Sequence, residues 1–141
     1  MKLTIILLIL CIISPASAFS AQCSLPEALA VKALIGEAGG QQDAEIYAHA
    51  CALVNRGTFR GVYGLQATHT PNPSTAQVAK VKAAWRKALS GKNDVVSGRT
   101  EWRSEYDLRL MAKKGRTVKT DGLCDGLKIG ETWFFYLESK K

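Results

Sequence analysis

From Leu25 to Ile35 the chain is apolar on nearly every side of a helix. Leu25, Ala28, Leu29, Val31, Ala33, Leu34 and Ile35 leave no continuous polar face. Such a helix persists in water only when other elements cover it. This stretch therefore demands a core assembled around it. Ser24 and Glu27 have the S-x-x-E spacing of a capping box with Pro26 between them, so the helix is predicted to begin near Ser24. Gly39-Gly40 should end it.

The covering elements follow in order. A second helix is predicted from Asp43 to Arg56. Asp43 is its cap, Ala44, Tyr47, Ala48, Cys51, Ala52 and Val54 fall on its apolar positions, and Gly57 is its stop. Glycines and prolines from Gly57 to Pro73 indicate a long irregular loop, a length that inside a small domain usually carries function. Ser74 should cap a third helix, with Val78, Val81, Ala84, Trp85, Ala88 and Leu89 as its stripe and Gly91 as its end. An extended segment around Asn93–Asp107, a helix over about Ser104–Lys114 and a C-terminal hairpin complete the pattern. Trp133, Phe134 and Phe135 are expected in the core. The predicted class is α+β: mainly helical, with a small antiparallel sheet near the C-terminus.

The first 18 residues read as a secretory signal peptide. Lys2 precedes the apolar run Leu3–Ile13, and Ala16-Ser17-Ala18 is a small-x-small cleavage site. Residues 19–141 then form one domain that is secreted or periplasmic, with no stable membrane span after cleavage. Without Lys2 the 19 basic residues become 18 against 12 acidic, a net charge of +6. A basic exported protein meets acidic polymers, such as an envelope, an anionic membrane or nucleic acid. No nucleic-acid-binding motif is present, and no nucleic acid is expected as a partner. Cys23, Cys51 and Cys124 allow one disulfide. Cys51 suits a small core position, and a Cys23–Cys124 bridge would tie the mature N-terminus to the C-terminal region, but the sequence does not fix the pairing. There is no CxxC, and His49 and His69 lie far apart, so neither a metal nor a cofactor is expected. His49, in mid-helix, reads as structural.

Glu37 is the candidate for chemistry. On a helix it shares a face with Ala33 and Leu34, and burial of a carboxyl there would favour its protonated form. A carboxyl holding its proton near neutrality can protonate a leaving group, as glycosidic cleavage requires. Gly36, Gly39 and Gly40 would let backbone or ligand approach closely.

The segment Gly36-Glu37-Ala38-Gly39-Gly40, followed by a helix ending Val54-Asn55-Arg56, resembles the opening motif of the SleB-type, spore-cortex-lytic cell-wall hydrolases. Ala88-Leu89-Ser90-Gly91, Gly98 to Trp102 and Ile129 to Phe135 follow later segments of that family in the same order. The resemblance implies a lysozyme-like fold. It also implies cleavage of the bond between N-acetylmuramic acid and N-acetylglucosamine in peptidoglycan glycan strands, with Glu37 as the catalytic acid/base. Asn55 and Thr100 would hydrogen-bond a sugar, and Tyr63, Trp102 and Tyr136 would stack on sugar rings. Asp94, Glu101 and Glu105 are candidates for a second carboxylate. Arg99, Arg103, Lys113, Lys114 and Arg116 would face acidic polymer. The chain departs from the family pattern at Gln41, Arg99 and Thr132, and these departures keep a second possibility open, a catalytically inactive envelope-binding module of the same fold.

Overall fold

A computed structural model describes residues 23–68 and 72–138. Residues 1–18, the segment expected to be a signal peptide, lie outside the described residues. The element order is α1 (Glu27–Ala38), α2 (Asp43–Arg56), a 3-10 turn (Tyr63–Gln66), α3 (Thr75–Leu89), β1 (Glu101–Ser104), α4 (Glu105–Lys113), β2 (Leu123–Ile129) and β3 (Thr132–Leu137). The strands form an antiparallel sheet in the order β1-β3-β2. The α+β class expected from the pattern is thus the observed one.

α1 is covered over most of its length, but Ala28 and Leu29 in its first turn are exposed, so the full cover its composition demands is not reached there. The helix packs against α2, α3 and the 3-10 turn, and Ala30, Ala33, Leu34 and Ala38 are buried. α3 contributes Val81, Trp85 and Ala88, one apolar stripe at i, i+4 and i+7. Leu53 of α2 and Phe134 of β3 belong to the same core. Phe135 is buried as expected. Trp133 is only half-buried and stacks on Phe135 with ring centroids 6.4 Å apart.

Two caps differ from expectation. Ser24 does not cap α1. The helix starts after Pro26, so Glu27 is its first residue rather than its third, and the reciprocal bonds of a capping box are out of reach. Glu27 instead pairs with Lys82 and Arg86 of α3. The hydrogen bonds of Arg86 and Lys82 hold the Glu27 carboxyl below its ordinary range. A full capping box occurs at α4, where Ser104 and Asp107 bond each other's backbone N–H. Asp43 is the first residue of α2, not its cap, which is Gln42.

The three cysteines of the described region are unpaired, so no Cys23–Cys124 bridge forms. Cys23 packs against the helical core, while the Cys124 thiol is turned to the Tyr136 carbonyl at 3.8 Å. Cys51 is buried as expected. Burial pushes its thiol up, and pushes the neighbouring Tyr47 phenol up to about 12. Both stay protonated, and the Tyr47 hydroxyl donates to the Asn93 carbonyl at 2.6 Å, tying α2 to the loop after α3.

The sheet is joined to the helices through a buried carboxylate. Glu45, 5 % exposed, accepts from the Glu131 backbone N–H at 2.7 Å and stands 3.5 Å from the Thr132 hydroxyl. It enters the space beside Gly130, where a Cβ would lie 2.1 Å from its carboxyl carbon. Thr132 is therefore a structural contact of α2 with the hairpin.

Candidate active site

Glu37 sits in the last turn of α1, and its side chain is held by two other segments. Gly36 and Gly64 face each other so closely that a Cβ on Gly36 would lie 2.1 Å from the Gly64 carbonyl oxygen. A Cβ on Gly64 would lie 2.0 Å from the Ala33 carbonyl oxygen. Two bare backbones let the 3-10 turn rest directly on α1. That contact brings the Gly64 N–H to Glu37 Oε1 at 2.7 Å. From the other side, Trp102 on β1 donates its indole N–H to Oε2 at 3.0 Å. Each carboxyl oxygen keeps a further lone pair for a ligand. The close approach expected of Gly36 is thus made by backbone. At Gly39 it is made by Gln77, whose amide donates to the Gly39 carbonyl at 2.8 Å, and Gly40 borders open space.

Trp102 is itself locked. The residue is 8 % exposed, the Arg56 guanidinium lies over its ring at 4.3 Å, and the edge-on ring of His49 packs at 5.5 Å. Arg56 donates to the Thr100 carbonyl at 2.9 Å, to the Arg60 carbonyl at 3.1 Å and to Glu101 at 2.7 Å. Burial lowers the Arg56 pKa, and the charge of Glu101 opposes that loss. One side chain at the end of α2 thereby holds β1, the loop after α2 and the face of Trp102.

His49 is buried between Trp102 and Phe134 and bonds the Glu45 carbonyl through Nδ1 at 2.8 Å. Burial pushes its pKa below the ordinary 6.5, against smaller upward pulls from the Glu45 carbonyl, Glu37 and the Glu45 side chain. The sign of the linkage follows. The unfolded chain takes up this proton as pH falls through 6.5 and the folded chain does not. Stability is therefore full above pH 6.5 and declines from there toward the lowered folded value. His49→Phe, which keeps a ring in the slot, is expected to flatten the slope of unfolding free energy against pH in that interval. Denaturant titrations of both proteins across pH 7 to 5 check it, and identical slopes would remove His49 as the cause.

Glu37 opens onto a cleft of about 330 Å³. Tyr63, 79 % exposed, stands on its rim, and Trp102 and Arg56 close its floor beside the carboxyl. The opposite wall is α4 with the turn after it: Asp107, Leu110, Met111, Lys114, Arg116 and Asp121, joined by Arg103 from β1. Neither wall aspartate is free. Asp107 Oδ2 accepts from the Ser104 N–H and hydroxyl at 3.1 and 2.7 Å, and Asp121 takes a two-pronged bond from Arg116 at 3.0 and 2.7 Å.

The structure brings together three of the expected site residues, Glu37, Tyr63 and Trp102. The role of Trp102 changes. Its ring is covered by protein and aligns Glu37, so it is not an open platform for a sugar. Asn55 and Thr100 do not line the cleft. Asn55 donates to Asp94 at 3.0 Å and to the Arg99 carbonyl at 3.3 Å, while Thr100 pairs with Phe135 and accepts from Arg56 through its backbone. Tyr136 is covered by the Arg99 guanidinium at 4.7 Å and bonds Ser97.

The three candidates for a second carboxylate also lie outside the lining. Asp94 accepts from Val96 and Gly98 at 3.1 and 2.6 Å, Glu101 is paired with Arg56, and Glu105 with Lys128. Of the basic residues expected to meet acidic polymer, Arg103, Lys114 and Arg116 line the cleft, whereas Arg99 donates to the Asp125 carbonyl at 2.7 Å. Gln41, Arg99 and Thr132 are all absent from its walls.

Sequence reasoning missed Arg56 and Gly64. Arg56 closes a helix beside the chosen Asn55, and a helix-terminal arginine ordinarily reads as a solvated charge. Gly64 lies among other loop glycines with no signal to single it out.

Comparison of the chain with protein-family models, with curated protein sequences and with solved structures finds no match. Among the described residues no helix is long and apolar enough to cross a membrane, and no group of three or more His, Cys, Asp or Glu residues is placed to hold a metal ion.

Proposed function

We propose that this chain is a lysozyme-like peptidoglycan-cleaving enzyme, acting on the bond between N-acetylmuramic acid and N-acetylglucosamine with Glu37 as its acid/base. The observation that carries the reading is the aimed carboxyl: Glu37 lies in an open cleft, fixed by the Gly64 N–H and the Trp102 indole, beneath an exposed aromatic rim. A side chain held on both oxygens loses little freedom when substrate arrives, which is the condition for efficient proton transfer.

The cleft favours chemistry with a single acid. A two-carboxylate glycosidase needs a second carboxylate about 5–9.5 Å from the first; Asp121 is held on both oxygens by Arg116, and Asp107 on one oxygen by Ser104. Glu37 alone suffices for intramolecular transglycosylation. Its carboxylic proton passes to the glycosidic oxygen as the bond to the muramic C1 breaks. The muramic 6-hydroxyl then attacks C1 and gives its proton to the Glu37 carboxylate. The products are a 1,6-anhydro end and a free hydroxyl, no water is consumed, and the acid is regenerated.

Glu37→Gln keeps the two hydrogen-bond acceptor positions only in part and cannot donate an acidic proton. It is expected to fold as the parent does and to release no soluble muropeptides from purified sacculi, a loss of about 100-fold or more. Release at the parental rate would end the assignment. Mass spectrometry of the parental products distinguishes the chemistries, since anhydro ends mean transglycosylation and reducing ends mean hydrolysis. Retention on sacculi with no release by either protein would identify an inactive envelope-binding module.

A further inference from the structure

α4 joins the body of the domain through one buried side chain, Met111. A helix so lightly covered turns most of its surface outward. Tyr106, Arg109, Leu110 and Lys113 recur at i, i+3, i+4 and i+7, the spacing of a single helix face, and all four are exposed. Tyr106 is 69 % exposed and Leu110 38 %. A lone exposed apolar residue needs no explanation. Here two of them lie one turn apart, side by side with two cations.

This outer face holds no acid, and the carboxylates that flank it answer to other cations. Glu105 is paired with Lys128 of β2, whose hydrogen bond and charge, ahead of the charge of Arg109, hold the carboxyl below its ordinary range. Asp107 lies on the cleft flank of the helix with Met111 and Lys114, where it and Glu37 are set against Arg103 and Lys114. Among the described residues neither Arg109 nor Lys113 enters an ion pair. The surplus survives a wider count. Residues 103–121 hold six cations and three carboxylates, and including Lys128, Glu37 and Glu131 makes seven against five.

We propose that the outer face of α4 docks on an anionic phospholipid surface. Arg109 and Lys113 meet the lipid phosphates, while the Tyr106 ring and Leu110 enter the headgroup layer, a setting that suits an aromatic body with a polar tip. The face is convex, so it fits a flat partner better than a chain that needs a groove. Leu110 also borders the cleft. Docking therefore places the mouth of the cleft beside the membrane. Nothing in this proposal depends on the reading of Glu37.

The test is vesicle binding. The parent protein is titrated with vesicles of phosphatidylcholine alone and with vesicles that also contain phosphatidylglycerol. Tighter binding to the mixed vesicles is expected, weakening as salt is raised. Arg109→Gln with Lys113→Gln is expected to lose about 25-fold in affinity for the mixed vesicles, about fivefold for each cation. Lys32→Gln with Lys92→Gln removes the same charge from α1 and the loop after α3, and should cost less than about twofold. Tyr106→Ser should weaken binding at high salt as well as low, because its contribution is apolar. All five substituted side chains are exposed, so folding is not at risk. Equal binding of the parent to the two kinds of vesicle would overturn the proposal. Equal losses from the two double variants would also overturn it, since net charge alone would then draw the protein to lipid. A parent that ignores vesicles yet is held on purified sacculi through Arg109 and Lys113 would give the face to a wall polymer instead. Muropeptide release from lipid-free sacculi tests Glu37 separately, so either reading can fail without the other.

Discussion

Gly64→Ala is expected to disarm Glu37 without touching it. The new methyl would lie 2.0 Å from the Ala33 carbonyl oxygen, a backbone atom inside a helix that cannot turn away. Ordinary van der Waals contact begins near 3.4 Å, so the 3-10 turn must lift by about 1.4 Å. The Gly64 N–H then leaves Glu37 Oε1, from which it is now 2.7 Å distant, and Tyr63 moves with it. Overpacking of this kind costs about 1–3 kcal/mol of stability, and misplacing a reacting group by an ångström costs about 100-fold in rate. Muropeptide release and thermal unfolding are to be measured together. Gly40→Ala is the control, because a Cβ there meets nothing within 4 Å and should change neither. Normal release by Gly64→Ala would mean that the Gly36–Gly64 contact does not aim the acid.

Arg56→Ala is expected to have the largest effect on stability. Arg56 and Glu101 are 8 % and 19 % exposed in their side chains, and removing one partner strands the other charge in a poorly solvated position. The cost is about 3–5 kcal/mol, a fall in melting temperature of roughly 10–20 °C for a domain of this size. Two backbone carbonyls, of Thr100 and Arg60, lose their donor as well. Adding Glu101→Gln to the variant should recover part of the loss, since no unpaired charge then remains. Costs that simply add would show that the pair is not coupled. Release should fall with Arg56→Ala even below its melting transition, because the face of Trp102 loses its cover.

The two residues in these predictions also mark where sequence reading stops. Periodicity locates α2 to within a residue, and Ser74, Gly91 and the tail hairpin are equally plain, because caps, stops and turns are local in the chain. The S-x-x-E spacing at Ser24 predicts a capping box, yet the box lies at Ser104, because α1 starts only after Pro26, beyond the reach of Ser24. Glu37 was legible as a charge in an apolar setting. Its two donors were not, for the contact of Gly36 with Gly64 is a matter of backbone shape, and neither residue carries a side chain to advertise it. Trp102 reads in the sequence as an aromatic surface and is in the fold a hydrogen-bond donor under an arginine. Which face of a ring remains open depends on its neighbours in space.

The donors that hold the two oxygens of Glu37 lie 27 and 65 positions further along the chain. A growing or half-collapsed polypeptide carries the glutamate from its first helix onward, yet nothing points it anywhere. Only when the loop beyond α2 and the first strand have both docked does the carboxyl acquire a direction. Completion of the fold is in that sense the molecule's own safety catch.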